Sequence, residues 1–251
     1  MNSVGRHLIL LLAPLACATA PLLADEKVEI KYLAPDAASV SQIKTSLALD
    51  KTPPGAVMEI HFFDTPSLTL LKDQHLALRL RKKGDTWTFT VKERPTTRQP
   101  DEVGLGGELE TDESIATLDK VRSYSIDSKP SAASIKAALE QDSVQSLLSL
   151  AQRSFLEKRP HPIPWEKVRC FPKIEARRWT LTDFDNLSAE SWQYPGGEVL
   201  EISYKAKAKN AATAEKKFAT WLTAHAIKPE KSGGMKTSTV LETLSKHLPP
   251  R

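Results

Sequence analysis

The sequence is poor in cysteine, and it lacks the motifs of several large enzyme classes. Cys17 and Cys170 are its two cysteines. Cys17 lies in a segment that we expect to be removed, which leaves Cys170 without an internal disulfide partner and too few thiols for a zinc site. No Ser-His-Asp arrangement, glycine-rich phosphate loop or Cys-x-x-Cys motif is evident, and the six histidines show no metal-ligand spacing. These absences exclude P-loop and dithiol redox chemistry.

The sequence also lacks a large excess of either charge, because 35 basic residues are nearly balanced by 31 acidic ones. A net charge of +4 is too small to indicate nucleic-acid binding by itself, and we expect no nucleic-acid partner. A hydrophobic content of 40% and a charged content of 26% are ordinary for a globular protein. The position of the charges therefore carries more information than their sum.

The first 24 residues have the pattern of a secretory signal peptide. Arg6 and His7 precede an apolar run at residues 8–15, and small residues follow, with an Ala-x-Ala site at Ala18 and Ala20. The run is too short for a permanent membrane span. We expect export to the periplasm or outside the cell, with no membrane association after cleavage; a retained anchor is the alternative. Residues 25–251 would then form a single domain.

Alternating apolar and polar residues predict strands in both halves of the remaining chain. The clearest pair is a hairpin over residues 77–92 with its turn at residues 83–85. Further strands are predicted at 27–32, 58–63, 107–110, 173–177 and 199–205. Helical spacing predicts helices opening near Asp36 and within 131–156, 211–227 and 238–248. The sequence thus predicts an α+β fold rich in antiparallel strands.

Charged residues crowd one face of each predicted strand, because side chains at i and i+2 point the same way. Arg79 and Arg81 share one face, and Glu108 and Glu110 share another. Such a face could simply be the solvated side of an antiparallel sheet. If the strands instead close into a barrel, the same residues line a lumen. Cations beside carboxylates would suit a metal-bound polyphosphate, since Arg and Lys bind phosphate oxygens and carboxylates hold Mg²⁺ or Mn²⁺.

The order of several motifs resembles a known family. His61-Phe62-Phe63-Asp64-Thr65-Pro66 is followed by Leu78-Arg79-Leu80-Arg81 and by Thr88-Phe89-Thr90-Val91-Lys92. This run resembles the core of CYTH proteins, the triphosphate tunnel metalloenzymes, and further matches extend over nearly the whole chain after the N-terminal segment. The resemblance implies an antiparallel, eight-stranded closed β-barrel, or tunnel, with helices packed on the outside. It also implies binding and hydrolysis of an inorganic triphosphate or polyphosphate with a divalent metal.

The resemblance also implies roles for specific residues. The substrate-binding residues would be Lys31, Arg79, Arg81, Lys92, Lys173, Arg177 and Lys236. The metal, Mg²⁺ or Mn²⁺, would be held by Glu29, Glu108, Glu110 and Glu201. Glu29 and Lys31 would be catalytic. Asp64 and Pro66 are expected to shape a turn rather than to contact ligand.

Two positions depart from the family pattern. Lys27 stands where the first strand normally has its first glutamate, and Ser203 stands where many members have a second late glutamate. A lysine in place of a carboxylate opposes metal binding. Two functions therefore remain open: a metal-dependent phosphohydrolase, or a non-enzymatic envelope protein that binds a polyanion through cations alone. Export favours inorganic polyphosphate or tripolyphosphate as the ligand.

Overall fold

The computed structural model describes residues 27–98 and 107–248. The expected signal peptide at residues 1–24 lies outside these ranges, and its prediction stays a prediction. Among the described residues, no helix combines the length and the apolar character needed to cross a membrane.

Ten strands are present in the part of the chain that the structure describes. They are β1 (Lys27–Leu33), β2 (Ala56–Asp64), β3 (Leu76–Lys83), β4 (Thr86–Glu93), β5 (Gly107–Ser114), β6 (Lys120–Ser128), β7 (Arg169–Cys170), β8 (Ile174–Thr180), β9 (Leu187–Tyr194) and β10 (Gly197–Lys207). The α-helices are α1 (Ala37–Ser46), α2 (Thr69–Lys72), α3 (Ala132–Gln141), α4 (Leu150–Glu157), α5 (Ala211–Ala224) and α6 (Lys236–Leu244). The helix expected within 131–156 is divided into α3 and α4 by a 3₁₀ turn at Val144–Leu147.

The strands close into a barrel, as predicted. Nine of them follow the order β3-β4-β6-β5-β1-β10-β9-β8-β2, and the pairing of β2 with β3 completes the circle. The short β7 pairs with one end of β2. The expectation of eight antiparallel strands was wrong in two details, because the barrel has nine strands and β1 pairs with β5 in parallel. The remaining neighbours in the barrel are antiparallel.

The predicted hairpin and the predicted turn are both present. The hairpin formed by β3 and β4 pairs Lys83 with Thr86, so Gly84 and Asp85 form a two-residue turn, and Gly84 supplies the positive φ of 56° that such turns require. After β2, the buried Asp64 carboxylate accepts hydrogen bonds from the backbone amides of Thr65, Leu70 and Leu71. Asp64 therefore shapes the turn into α2, as expected.

Helices cover the outside of the barrel in two groups. The outward side chains of β1, β9 and β10, such as Ile30 and Ile202, pack with α1 and α5. Those of β3, β4 and β6, such as Leu78 and Phe89, pack with α3 and α4. Burial of these apolar faces leaves the opposite, charged faces of the same strands to line the lumen.

Helix α6 has a different place, across one end of the lumen. Its Val240, Leu241 and Leu244 pack with inward-facing apolar residues of the barrel, among them Phe62 and Trp192. This apolar contact closes that end, and it brings Lys236, at the start of α6, against the lumen carboxylates Glu190 and Glu201. The lumen is thus polar in its middle and apolar at the end beneath α6.

Candidate functional site

The lumen concentrates charged side chains of both signs. The inward faces of the strands and the first residue of α6 contribute Glu29, Lys31, Arg79, Arg81, Lys92, Glu110, Asp112, Asp127, Arg178, Glu190, Glu201, Lys205 and Lys236. Exposure falls with depth: the side chains of Arg178 and Lys205 are 42% and 41% exposed, whereas those of Glu201 and Lys236 are 11% and 10% exposed. The open end therefore lies near Arg178 and Lys205.

Three carboxylates form an acidic cluster, which we define as Glu29, Glu110 and Asp112. One oxygen of each lies within 4.8 Å of the others. The parallel pairing of β1 with β5 places Glu29 directly beside Asp112, and Glu110 follows on the same face of β5. Asp112 is 1% exposed. Burying three like charges together is unfavourable unless cations surround them.

Those cations are present in the structure. Lys31 Nζ lies 2.6 Å from Asp112 Oδ1 and 3.2 Å from Glu29 Oε2. Arg94 Nη1 lies 2.9 Å from Asp112 Oδ2, and Lys92 Nζ lies 3.3 Å from Glu110 Oε2. Together with Lys205, which contacts Glu110 at 2.9 Å, four cations surround three carboxylates. The cluster is thus fully compensated by the protein's own side chains.

The pKa values reflect this compensation. Burial opposes the charge of Lys31, but the carboxylates of Glu201, Asp112 and Glu29 outweigh it and raise the Lys31 pKa. Burial likewise opposes ionisation of Glu110, but Lys92, Lys205 and Lys31 lower its pKa below the usual range. Both groups therefore carry full charge at neutral pH.

A second, deeper group of charges lies beneath the acidic cluster. Lys236 Nζ is 2.7 Å from Glu190 Oε1 and 2.9 Å from Glu201 Oε1, and it lies 4.4 Å from the centre of the Trp192 ring. Burial opposes ionisation of Glu190, but Lys236 and Arg178 outweigh it and lower its pKa to about 2. Lys236 thus joins α6 to the floor of the lumen.

The arginines of β3 differ from these paired charges. Neither Arg79 nor Arg81 has a carboxylate within 4.0 Å among the described residues. Arg79 Nη2 lies 3.5 Å from Thr90 Oγ1, and its buried Nε has no hydrogen-bond partner. Burial, helped by the neighbouring Arg81, lowers the pKa of Arg79. A guanidinium with unused N–H donors facing a lumen can donate hydrogen bonds to an anion.

The structure brings most of the sequence-predicted residues into the lumen. Glu29, Lys31, Lys92 and Glu110 meet at the acidic cluster, and Glu201 meets Lys236 in the deeper group. Arg79 and Arg81 face them from β3. Two predicted metal ligands lie outside the acidic cluster: Glu108 is exposed, and Glu201 belongs to the deeper group with Lys236.

Two predicted cations are on the wrong side of the barrel wall. Lys173 is exposed and lines a shallow surface pocket beside Glu175. Arg177 points outward and pairs with Glu175 at 2.8 Å. The expectation that they line the lumen is corrected, because the inward face of β8 carries Ala176 and Arg178, opposite Trp192 and Glu190 of β9. Arg178 Nη2 donates to Ser188 Oγ at 3.0 Å.

Comparison with known proteins agrees with this architecture. The family model described as "CYTH domain" matches residues 26–223. The chain belongs to the CYTH family. The Bacillus subtilis protein named "Putative triphosphatase YjbK" is 34% identical over 92 residues, which are 36% of this chain. That match spans 43% of the length of YjbK, less than half of it.

Two solved structures share the fold. A protein from Bacillus halodurans, named a "putative adenylate cyclase", is 19% identical with a TM-score of 0.55, over 84% of this chain and 95% of its own. HpAC1 from Hippeastrum, named a "Putative adenylyl cyclase" with a dominant triphosphatase activity, is 17% identical with a TM-score of 0.56, over 90% of this chain and 98% of its own. At these identities the likeness concerns the fold.

Five lumen residues of this CYTH chain were missed by the sequence reasoning: Arg94, Asp112, Asp127, Arg178 and Glu190. Asp112 extends the inward face of Glu110 by two residues, and Arg94 extends that of Lys92, so the i+2 rule alone could have found both. Arg178 could be predicted only with the correct register of β8. Glu190 could be found only by predicting β9, and Asp127 only by predicting β6; neither strand was predicted.

CYTH proteins are metal-dependent, and the acidic cluster fits a hard divalent cation in donor type. Its three carboxylates supply the oxygen ligands that such ions prefer. The two departures from the family pattern add no further ligand. Lys27 is exposed at one end of β1, and the buried Ser203 lies 3.2 Å from Ser188 Oγ rather than offering a carboxylate. Within residues 27–98 and 107–248, the acidic cluster is therefore the one compact set of carboxylates for a metal.

Proposed function

We propose that the lumen binds an inorganic triphosphate or polyphosphate and hydrolyses it with a divalent metal. The observation that carries this proposal is the opposition of two walls. Arg79 and Arg81 have no carboxylate partner among the described residues, and they face a cluster of carboxylates that suits a metal. A ligand with several negative charges could bind the arginines directly and the carboxylates through a divalent metal.

Different cations of the lumen would bind different parts of the anion. The guanidinium groups of Arg79 and Arg81 would each donate to phosphate oxygens in a forked geometry. Lys31 and Lys92 would reach the same chain from the acidic cluster, and Lys236 marks the deepest point that a phosphate could approach. Because α6 covers that end, the anion would enter from the end near Arg178 and Lys205.

The acidic cluster would hold the metal, and we propose Mg²⁺ or Mn²⁺. When bound, such an ion neutralises phosphate oxygens and lowers the pKa of a coordinated water. Lys31 keeps its proton because its pKa is raised, so it would stabilise charge on the phosphate rather than act as a base. The low pKa of Glu110 keeps that side chain available as an anionic ligand.

The relatives and the N-terminal sequence support the choice of substrate. YjbK, which matches part of this chain, is named a triphosphatase. We also propose that residues 1–24 direct export, and outside the cytoplasm inorganic polyphosphate is a more available ligand than a nucleotide. Sequencing the N-terminus of the protein recovered from the periplasm or medium would test export; an intact Met1 in the membrane fraction would indicate a retained anchor.

Hydrolysis can be tested with a matched pair of variants on β5. We expect the purified protein to release phosphate from tripolyphosphate in Mg²⁺ or Mn²⁺. Glu110→Gln should lower kcat/KM by about 100-fold, because the metal loses a ligand. Glu108→Gln removes the same charge from an exposed position two residues away and should change kcat/KM by less than about threefold. Equal effects of the two substitutions would contradict the proposed metal site.

Binding without turnover is the second candidate function, and one observation favours it. The acidic cluster is already surrounded by four cations of the protein, which compete with a metal. In that case tripolyphosphate would bind tightly, a chelator would not weaken it, and no phosphate would be released. The same assay therefore distinguishes an enzyme from a polyanion-binding protein.

A further inference from the structure

Lys205 occupies a position in the lumen that a metal ion would need. Strand pairing places it directly opposite Glu29. Its Nζ lies 2.9 Å from Glu110 Oε1 and 3.7 Å from Glu29 Oε2. These are two of the three carboxylates in the acidic cluster, and an ammonium at this distance uses lone pairs that a metal would take. Lysine and metal therefore exclude each other there.

Lys205 differs from the other cations of the cluster in its freedom to move. The side chains of Lys31 and Lys92 are 23% and 25% exposed, against 41% for Lys205. Lys31 is also held by the buried Asp112 at 2.6 Å. Lys205 lies nearer the open end, and a lysine side chain has a long flexible stem that can swing its charge by several ångströms. An entering anion would thus meet Lys205 early.

We propose that Lys205 is a tethered counter-ion that fills the cation position between Glu29 and Glu110 until a polyanion draws it away. This proposal rests on the proposed function, since it concerns the same metal and the same anion. It predicts an order of events: the anion enters, Lys205 turns from the carboxylates toward the phosphates, and the freed carboxylates then bind metal. Metal affinity is consequently low without the anion and higher with it.

The electrostatics favour such exchange over simultaneous occupation. A divalent cation within 4 Å of a lysine ammonium is repelled, and the two positive charges compete for the same carboxylate oxygens. When the ammonium moves to a phosphate, this repulsion is removed. The lysine then has a negatively charged phosphate as its partner in place of the negatively charged carboxylates. The positive coupling between anion and metal then follows from linkage, and it must hold in both directions.

Mn²⁺ binding by the full-length protein tests this without any turnover. Free Mn²⁺ would be followed by electron paramagnetic resonance in phosphate-free buffer for the wild type, for Lys205→Met and for Lys209→Met. Lys205→Met should tighten Mn²⁺ binding by about tenfold or more, because one positive charge leaves the ligand set. Lys209 is exposed after β10, so Lys209→Met makes the same charge change and should leave the affinity within about twofold.

A second titration measures the coupling. A non-hydrolysable tripolyphosphate analogue should tighten Mn²⁺ binding by the wild type by more than it does for Lys205→Met. Unchanged Mn²⁺ affinity in Lys205→Met, or an equal gain in Lys209→Met, would overturn the proposal. If Lys205→Met does not fold, Lys205→Gln gives the same comparison, and Lys205→Arg should behave as the wild type. Failure of hydrolysis would leave these metal titrations intact, so the two proposals can fail separately.

Discussion

The two walls of the lumen hold their charges in different ways. On the wall formed by β1, β5 and β10, every carboxylate of the acidic cluster contacts at least one lysine or arginine of the protein. On the wall formed by β3, Arg79 and Arg81 have no such partner among the described residues. The charges of the first wall are balanced by the protein's own side chains, whereas, within the part of the chain that the structure describes, those of Arg79 and Arg81 on the second wall are not. The two walls thus differ in whether a substitution removes one partner of an existing ion pair.

This separation sets the expected cost of a substitution on each wall. Removing one partner from a buried ion pair leaves the other charge buried and uncompensated, which costs about 3–5 kcal/mol of stability. Removing an unpaired buried cation relieves a desolvation penalty instead. A substitution on the paired wall should therefore be seen first in folding, and one on the arginine wall should be seen first in binding.

The largest effect is expected for Asp112→Asn on the paired wall. Asp112 contacts Lys31 at 2.6 Å and Arg94 at 2.9 Å, and it is 1% exposed. Its neutral replacement should lower the free energy of unfolding by about 3 kcal/mol. Urea unfolding would measure the change, with the exposed Glu108→Gln as the control. If Asp112→Asn were as stable as the wild type, the paired wall would have no structural role.

The next effect is expected for Arg79→Gln on the arginine wall. Loss of the guanidinium should weaken tripolyphosphate binding by about 100-fold, which corresponds to about 2.7 kcal/mol. Thermal stability should be unchanged or slightly higher, because the buried Nε of Arg79 has no hydrogen-bond partner and burial already lowers the pKa of Arg79. Calorimetric titration would measure the affinity. The control is Lys82→Gln, which should bind tripolyphosphate as the wild type does. Lys82 lies on the outer face of the same strand, where its ammonium lies over the Trp87 ring.

If Arg79→Gln lost stability and affinity to a similar degree, the proposed difference between the two walls would be wrong. In that case Arg79 would be a structural residue whose partners change on ligand binding. The pair Asp112→Asn and Arg79→Gln should therefore be measured together, in the same buffer and at the same ionic strength, because screening affects the two walls unequally.

Much of the barrel could be predicted because its strands alternate cleanly. The outward residues of β3, such as Leu78 and Leu80, are fully buried under helices, and the inward Arg79 and Arg81 are polar, so the period of two is unmistakable. The same contrast in β1 placed Glu29 and Lys31 correctly in the lumen. The closed barrel and most of the lumen charges followed from these strands together with the family resemblance.

The strands that were missed lack this contrast. Both faces of β9 mix polar and apolar residues: Glu190 and Trp192 share the inner face, and Ala189 and Ser191 share the outer one, so no alternation marks the strand. The inward face of β6 carries the small residues Ser123 and Ser125, which give a weak signal. The count of eight antiparallel strands was wrong for a further reason: the parallel pairing of β1 with β5 is a tertiary choice that no local pattern encodes.

The register of β8 depended on β9, which explains the error over its cations. Two adjacent arginines, Arg177 and Arg178, leave the local sequence ambiguous, and a shift of one residue moves every side chain to the other face. The pairing of Arg178 with Glu190 and of Ala176 with Trp192 resolves it. Without β9 there was nothing against which to set that register.

The smallest effect is expected from these two arginines, and it tests the register directly. Arg178 lies near the open end, 42% exposed and 3.9 Å from Glu190, so Arg178→Met should weaken tripolyphosphate binding by about five- to tenfold. Arg177→Met makes the same change on the outer face and should have no effect on affinity. Titrations at low and at physiological salt would compare them, and the Arg178 effect should shrink as salt rises. A loss of affinity in Arg177→Met that exceeds the loss in Arg178→Met would mean that β8 faces the other way, and the lumen would then hold a different set of cations.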